Sequence, residues 1–210
     1  ASLNPGSIMS GMSWTKFVLS AYVAELAAEG RIDLDRSIAD YLHQPLPDYE
    51  DYTDLAGDDR WESLTLRLLL SHQSEDLERR LLAPLGSENI GLTWRESFEA
   101  DYDAGHDMDG ERIGHPVREE FDAAGSINGS PRAFGHLVAA FMDGDLISDS
   151  ARNAMLSSQV VIRSAHQFPP WSDERNDSLA DIQLSSGLGV VLWEGPQGRG
   201  FFKGGHDRGG

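Results

Sequence analysis

Apolar residues near the start of the chain recur at the three- and four-residue spacing of one face of an α-helix. They are Trp14, Phe17, Val18, Ala21, Tyr22 and Leu26. Gly30 follows this run, and glycine commonly ends a helix because it adopts the left-handed conformation at little steric cost. The pattern therefore predicts a helix over residues 13–29.

Later segments carry local helix signals of the same kind. Residues 131–141 are predicted to form a helix, because Ser130 can cap it and Pro131 suits its first turn. Further helical segments are predicted from local apolar patterns at residues 32–42, 64–70, 77–82 and 148–156.

The end of the chain predicts a β-hairpin. Residues 187–193 form an apolar strand, residues 195–200 a glycine-rich turn, and residues 201–205 a returning strand. Helices early and a hairpin late favour an α+β, or mixed α/β, arrangement. No internal repeat or shift in composition divides the chain, so we predict one domain over residues 1–210.

A stretch rich in Gly, Asp and His, residues 87–120, has weak periodicity and predicts loops with short strands. Its His106, Asp107, Asp109 and His115 raise the question of a metal site. Their acidic, irregular setting favours a solvated loop instead. We therefore predict no metal and no cofactor.

Charge excludes several kinds of partner. The chain of 210 residues has a formal net charge of −18 at pH 7, which argues against nucleic acid and against an anionic membrane surface because like charges repel. No apolar run is long enough to cross a bilayer, so we expect no membrane span. The lack of cysteine excludes disulfides, thiol nucleophiles and cysteine metal sites.

Lysine is scarce in this sequence. Lys16 and Lys203 are the only lysines among 17 basic residues. An acidic composition with so little lysine fits a high-salt proteome, and equally fits drift in a GC-rich genome. In either case, a position that keeps lysine is a candidate for a functional role.

Lys16 follows Ser13 by three residues at the start of the first predicted helix. Residues three apart share a helix face, so the amine can reach the hydroxyl. A serine hydroxyl is a weak nucleophile until a base takes its proton, and a desolvated lysine can be that base. The helix N-terminus adds free N–H groups where an oxyanion would form. The competing interpretation is a capping serine beside a solvated lysine.

Several segments, taken in order, resemble the serine β-lactamase and penicillin-binding protein superfamily. They are Ser13-Trp-Thr-Lys16 and residues 26–35 (LAAEGRIDLD), 38–42 (IADYL), 64–74 (LTLRLLLSHQS), 82–86 (LAPLG) and 123–130 (AAGSINGS). The branch they resemble most holds class C β-lactamases, D,D-peptidases and family VIII carboxylesterases. The resemblance implies a β-lactamase-like fold, with an antiparallel sheet flanked by helices and a helical region beside the active serine. It also implies an acyl-enzyme hydrolase in which Ser13 is the nucleophile and Lys16 activates it.

The third catalytic element of that superfamily is a basic residue followed two positions later by glycine, on a strand that lines the site. The segment FFKGGHDRG at residues 201–209 resembles it. Lys203 would bind a substrate carboxylate or assist proton transfer, and Gly205 would stand where a side chain would obstruct the substrate. The N–H groups of His206 and Ser13 would hold the oxyanion. A competing register makes His206 the basic residue; Lys203 is preferred because the spacing to the following glycines then fits.

The superfamily's second element, Tyr-x-Asn, is missing, since none of the five tyrosines is followed two residues later by asparagine. It would be expected after residue 74, where Ser74 is instead followed at once by Glu75. We therefore expect segments of the domain to be missing between residues 74 and 75 and beyond residue 210. The alternative is a degraded paralogue without its general base.

The resemblance allows a small-molecule ester, amide or β-lactam substrate and does not choose among them. It favours a periplasmic or secreted location, leaves a cytoplasmic one open, and gives no oligomeric state. The alternative function is that of an inactive paralogue that binds peptide or peptidoglycan.

Overall fold

The computed structural model describes residues 3–65, 78–107, 109–114, 120–163 and 177–205. Three α-helices lie where the local signals predicted them, at α1 (Trp14–Ala28), α2 (Pro131–Asp143) and α3 (Asp149–Met155). Shorter 3₁₀ or π turns lie at Ile38–Asp40, Leu46–Asp48, Glu50–Leu55, Asp59–Ser63, Glu78–Leu82, Ala83–Leu85, Glu96–Phe98 and Asp177–Ile182. Within the described ranges, no helix is both long and apolar enough to cross a membrane.

Helix α1 runs through the hydrophobic core. Ten of its 15 residues are buried, and Phe17 and Val18 have no exposed surface. A helix that is apolar on most sides belongs inside a domain, so burial extends well beyond the predicted apolar face. Gly30, at a φ of +71°, ends the helical region as predicted.

Serine side chains cap the two later helices. Ser130 Oγ accepts the N–H of Ala133 at 3.2 Å, and Ser148 Oγ accepts the N–H of Ala151 at 3.3 Å. The Glu25 carboxylate of α1 accepts both the N–H and the hydroxyl of Ser148, at 2.8 and 2.7 Å. These bonds tie the start of α3 to α1.

Seven short strands form two sheets in the described part of the chain. They are β1 (Met9–Met12), β2 (Ile90–Gly91), β3 (Ile127–Gly129), β4 (Val160–Val161), β5 (Ser185–Ser186), β6 (Val191–Gly195) and β7 (Gly198–Phe202). One sheet has the order β1-β3-β2 and the other the order β4-β5-β6-β7. Every paired strand is antiparallel to its neighbour, as the resemblance implied.

The predicted hairpin is present, but its predicted bounds were wrong. Strands β6 and β7 pair from Val191 opposite Phe202 to Gly195 opposite Gly198, which leaves a two-residue turn. Gly198, the first residue of β7, directly follows the turn with a φ of +106°, a conformation that glycine adopts at little steric cost. Residues 203–205 therefore lie beyond the end of β7 rather than within a strand.

The helix predicted over residues 32–42 contracts to the single turn Ile38–Asp40. The Ile38 N–H donates to the carbonyl of Leu64 at 2.8 Å, and the Ser37 hydroxyl donates to the carbonyl of Glu62 at 2.5 Å. These long-range bonds hold the segment against residues 62–65 and replace the bonds of a longer helix.

Two predictions concern residues outside the described part of the chain. The helix expected over residues 64–70 lies mostly in the range 66–77, as does the junction of residues 74 and 75. The helix and the missing segment therefore stay predictions.

Three phenylalanine rings join α1, α2 and β7. The centroid of Phe17 lies 5.1 Å from that of Phe141 and 6.2 Å from that of Phe201, and Phe141 and Phe201 are 5.6 Å apart. Each such ring pair contributes about 0.5–1.5 kcal/mol beyond area burial. The cluster holds the end of β7 beside the first turn of α1.

Candidate active site

Ser13 lies at the junction of β1 and α1. Met12, the last residue of β1, has a φ of +45°, a left-handed conformation that costs a non-glycine residue about 1–3 kcal/mol. Ser13 then has near-helical dihedral angles, and its side chain makes no capping hydrogen bond. The hydroxyl is thus not used as a helix cap, in contrast to the competing interpretation of this serine.

The side chain of Lys16 turns back toward this hydroxyl. Lys16 Nζ lies 3.4 Å from Ser13 Oγ and donates to the carbonyl oxygen of Ala124 at 2.6 Å. The contact with serine is at the long end of hydrogen bonding, and contacts of this kind often tighten when substrate binds. The amine therefore lies between the hydroxyl and a fixed backbone acceptor.

The surroundings of Lys16 alter its protonation. Although the residue as a whole is exposed, partial burial of the ammonium lowers its pKa below the ordinary 10.5, and the negative charge of Asp122 opposes part of that shift. A lower pKa means a larger neutral fraction at a given pH, and only the neutral amine can accept a proton. A reaction that uses this base should therefore accelerate as pH rises through the lowered pKa.

Hydrogen bonds of the Thr15 hydroxyl connect the turn around Ser13 to strand β3. Its side chain is fully buried, and its hydroxyl donates to the Met12 carbonyl at 2.8 Å while accepting the Ile127 N–H at 2.9 Å. Sequence reasoning missed this residue. A threonine inside a helical pattern gives no local sign that its hydroxyl bridges two distant backbone groups.

Lys203 brings a second amine to the same region. The residue is partly buried, and its Nζ donates to the Gly204 carbonyl at 2.7 Å. Burial lowers the pKa of Lys203, and the positive charge of Lys16 lowers it further. Two residues later, Gly205 lies against the backbone of Gly11 and Ser13, which places the segment that carries Lys203 next to the start of α1.

Gly205 packs against the backbone that precedes the serine. A Cβ at this position would lie 2.7 Å from the Gly11 carbonyl oxygen and 3.5 Å from the Ser13 nitrogen. The sequence predicted that a side chain here would obstruct substrate, and the structure adds that it would press on β1 itself. His206 lies outside the described residues, so the role of its N–H stays a prediction.

We expect Gly205→Ala to lower turnover of an ester substrate roughly tenfold to a hundredfold. The added methyl group would push residues 203–205 away from Ser13, and a displacement of about 1 Å can have that effect. The matched control is Gly204→Ala, whose Cβ would meet the ring of Phe202 at 3.0 Å, an exposed side chain that can move. Steady-state kinetics measure both variants, with circular dichroism to check the fold; equal turnover would contradict the packing argument.

Asp107 and Asp109, two of the residues weighed as a metal site, lie in a hydrogen-bonded turn. Asp107 Oδ1 accepts the N–H groups of Asp109 and Glu111 at 3.0 and 2.8 Å. Among the described residues there is no group of three His, Asp or Glu side chains that could hold a metal ion. His115 lies outside that set.

Comparison with known proteins identifies this arrangement of helices and strands. Residues 1–75, which contain Ser13 and Lys16, match the family model described as Beta-lactamase. The penicillin-binding protein from Bacillus halodurans is 15% identical, with a TM-score of 0.65 over 97% of this chain and 74% of that one. The chain has the serine β-lactamase and transpeptidase fold. The resemblance inferred from the sequence is therefore confirmed.

Two further proteins share the β-lactamase-like fold. The octameric penicillin-binding protein homologue from Pyrococcus abyssi is 14% identical, with a TM-score of 0.65. The match covers 91% of this chain and 55% of the Pyrococcus chain. The D-amino acid amidase from Ochrobactrum anthropi SV3 is 16% identical, with a TM-score of 0.60 over 97% and 70% respectively. The chain thus spans little more than half the length of the Pyrococcus protein. No curated protein matched the chain in sequence, so its activity has to be argued from the site.

Proposed function

We propose that this protein is a serine hydrolase that acts through an acyl-enzyme on an ester, amide or β-lactam carbonyl. The observation that carries the proposal is the position of Lys16 Nζ, 3.4 Å from Ser13 Oγ and 2.6 Å from the Ala124 carbonyl oxygen. A partly desolvated amine beside a serine hydroxyl supports nucleophilic catalysis. A fold alone does not assign an activity, whereas this pair of side chains has the chemistry of an activated nucleophile.

Acylation begins when Ser13 Oγ attacks the substrate carbonyl carbon and neutral Lys16 takes the hydroxyl proton. The carbonyl electron pair moves onto oxygen, where the N–H of Ser13 and that of His206 would stabilise the negative charge. The bond to the leaving group then breaks, and the Lys16 ammonium returns its proton to that group. The product of this half-reaction is an ester on Ser13; the protonated leaving group departs from an ester or amide substrate and stays attached to the acyl group of an opened β-lactam.

Deacylation uses the same groups with water as the nucleophile. Water attacks the acyl carbon while Lys16 accepts one of its protons. As the ester bond breaks, that proton passes to Ser13 Oγ and the carboxylic acid leaves. The Ala124 carbonyl would stabilise the ammonium form of Lys16 in both half-reactions, because hydrogen bonds to a charged donor are the stronger ones.

The tyrosine expected to assist Lys16 would lie in the segment that we expect to be missing between residues 74 and 75, because three tyrosines of the described chain have other surroundings. The Tyr22 side chain is buried in the core, and the Tyr41 hydroxyl accepts the N–H of Asp33 at 2.9 Å. Tyr102 packs edge-on against a tryptophan ring. A desolvated lysine can activate a serine by itself, which makes the missing Tyr-x-Asn element compatible with catalysis.

Lys203 is the proposed anchor for an anionic group on the substrate. It is partly buried, and its charge interacts with that of Lys16, so the two ammonium groups add positive charge to the site of a chain whose net charge is −18. A carboxylate next to the scissile bond would be attracted there. Substrates that carry a carboxylate are therefore the first class to test, beside neutral esters and D-amino acid amides.

A second candidate function is binding without turnover, as an inactive paralogue that holds peptide or peptidoglycan. The observation that favours it is the missing Tyr-x-Asn element, since none of the five tyrosines is followed two residues later by asparagine. Such a protein would hold its ligand by the same positive groups and form no acyl-enzyme.

Covalent labelling distinguishes the two candidates. We expect a fluorophosphonate to form one adduct on Ser13, located by peptide mass spectrometry, with a rate that rises with pH as Lys16 loses its proton. A penicillin in a parallel reaction tests whether a β-lactam also acylates the serine. Ligand binding by calorimetry without any adduct on Ser13 would favour the inactive module.

A further inference from the structure

The turn that presents the Ala124 carbonyl to Lys16 is built around Asp122. Asp122 Oδ1 accepts the N–H of Ala124 at 2.8 Å. The carbonyl oxygen of Asp122 accepts the N–H groups of Gly125 and Ser126, both at 3.2 Å. Aspartate stabilises turns of this kind by bonding to backbone two residues on. The direction of the Ala124 carbonyl therefore depends on the Asp122 carboxylate.

Two hydrogen bonds connect this turn and the start of strand β3 to the first turn of α1. The Ala124 carbonyl accepts Lys16 Nζ at 2.6 Å, across 108 positions of sequence. Three residues later, the Ile127 N–H donates to Thr15 Oγ1 at 2.9 Å. A substitution at Asp122 would thus alter the position of the Ala124 carbonyl, and with it the hydrogen bond to Lys16. The bond between Thr15 and Ile127 would still hold strand β3 in place.

Groups from three elements interact with the Lys16 ammonium through a contact or through their charge. The Ser13 hydroxyl comes from the start of α1, the Asp122 carboxylate from the turn before β3, and the Lys203 ammonium from the segment after β7. Asp122 supplies the negative charge in this set. It is partly buried, so solvent screens its charge less than that of a fully exposed side chain.

We propose that Asp122 is a positioning residue for Lys16: its carboxylate orients the carbonyl that binds the ammonium, and its negative charge attracts that ammonium. The proposal rests on the proposed role of Lys16 as the base for Ser13. A fixed carbonyl and a nearby negative charge both favour the protonated lysine, and so oppose the partial burial that lowers its pKa. Asp122 therefore offsets part of the effect of burial, and its removal should let Lys16 become neutral at a lower pH.

Two substitutions of Asp122 distinguish the effect of its negative charge from its effect on the orientation of the Ala124 carbonyl. Asp122→Asn keeps an oxygen acceptor for the Ala124 N–H but removes the charge. Its rate profile should shift to lower pH, with a plateau within about threefold of the native protein. Asp122→Ala removes the acceptor as well, and its plateau should fall about tenfold or more, because Lys16 loses its fixed carbonyl.

The titration of Lys16 can be measured without any turnover. Protein labelled with ¹³C at lysine Cε gives two signals, because the chain has two lysines, and Lys203→Arg assigns them. We expect the midpoint of Lys16 to be lower in Asp122→Asn than in the native protein. Asp145→Asn is the matched control, since it removes the same charge from an exposed carboxylate on the α2–α3 connection and should leave the midpoint in place.

The outcomes are distinct. A Lys16 midpoint that is equal in the native protein, Asp122→Asn and Asp145→Asn would overturn the role of the charge. A native plateau in Asp122→Ala would overturn the role in orientation. Failure of the proposed function would instead leave Ser13 unlabelled by fluorophosphonate in the native protein, while the lysine titration still reports on Asp122.

Discussion

Ser13→Ala is expected to abolish hydrolysis of every substrate that the native protein cleaves, with a loss on the order of 10³-fold or more in kcat. The substitution removes the atom that forms the acyl-enzyme, and water offers no comparable route in the site. Stability should change by less than about 1 kcal/mol, because the Ser13 side chain makes no capping hydrogen bond. Kinetics on a short-chain chromogenic ester, nitrocefin and a D-alanyl peptide, together with thermal unfolding, measure both effects.

The control for this experiment is Ser157→Ala. Ser157 is an exposed serine after α3, whose hydroxyl donates to the Asn153 carbonyl at 2.6 Å. The same chemical change there should leave turnover near that of the native protein. Native turnover by Ser13→Ala on the whole panel would show that the nucleophile is another group.

Lys16→Arg is expected to lose nearly as much activity as Ser13→Ala. Arginine keeps the positive charge and can still bond to the Ala124 carbonyl, but it stays protonated in proteins and cannot accept the Ser13 proton. Groups that act as one unit give losses that do not add. The double variant should therefore be no slower than the poorer single variant.

The same substitution at the other lysine is the matched control. Lys203→Arg keeps the charge proposed to bind a substrate carboxylate, so we expect a clearly smaller loss than for Lys16→Arg, mostly in KM. A pH series gives a second measurement, because the native rate should rise through the lowered pKa of Lys16 and Lys16→Arg should lack that limb. A Lys16→Arg protein with native kcat and native pH dependence would refute the lysine as base.

Local signals were sufficient to predict the three α-helices of the described residues, including the one that carries the proposed nucleophile, but they overestimated the single turn at Ile38–Asp40. The helical spacing of apolar residues and Gly30 predicted α1, a serine at the N-cap with a following proline predicted α2, and a local apolar pattern predicted α3. These features act within a turn or two of chain, so they can be read from sequence. The pairing of Ser13 with Lys16 belongs to the same class, because three residues of helix bring the two side chains together.

Tertiary structure alone decided the surroundings of that pair. The bond from Lys16 to the Ala124 carbonyl joins residues 108 positions apart, and the approach of Gly205 to Gly11 depends on where β7 packs. Strands β1 and β3 span only four and three residues. Such short strands show no periodic pattern from which they could be predicted. Backbone carbonyls and N–H groups occur at almost every position, so sequence cannot indicate which of them will face a given side chain. Long-range packing decides which backbone groups contact Lys16. It thereby determines the protonation and the position of the lysine that the sequence had already identified.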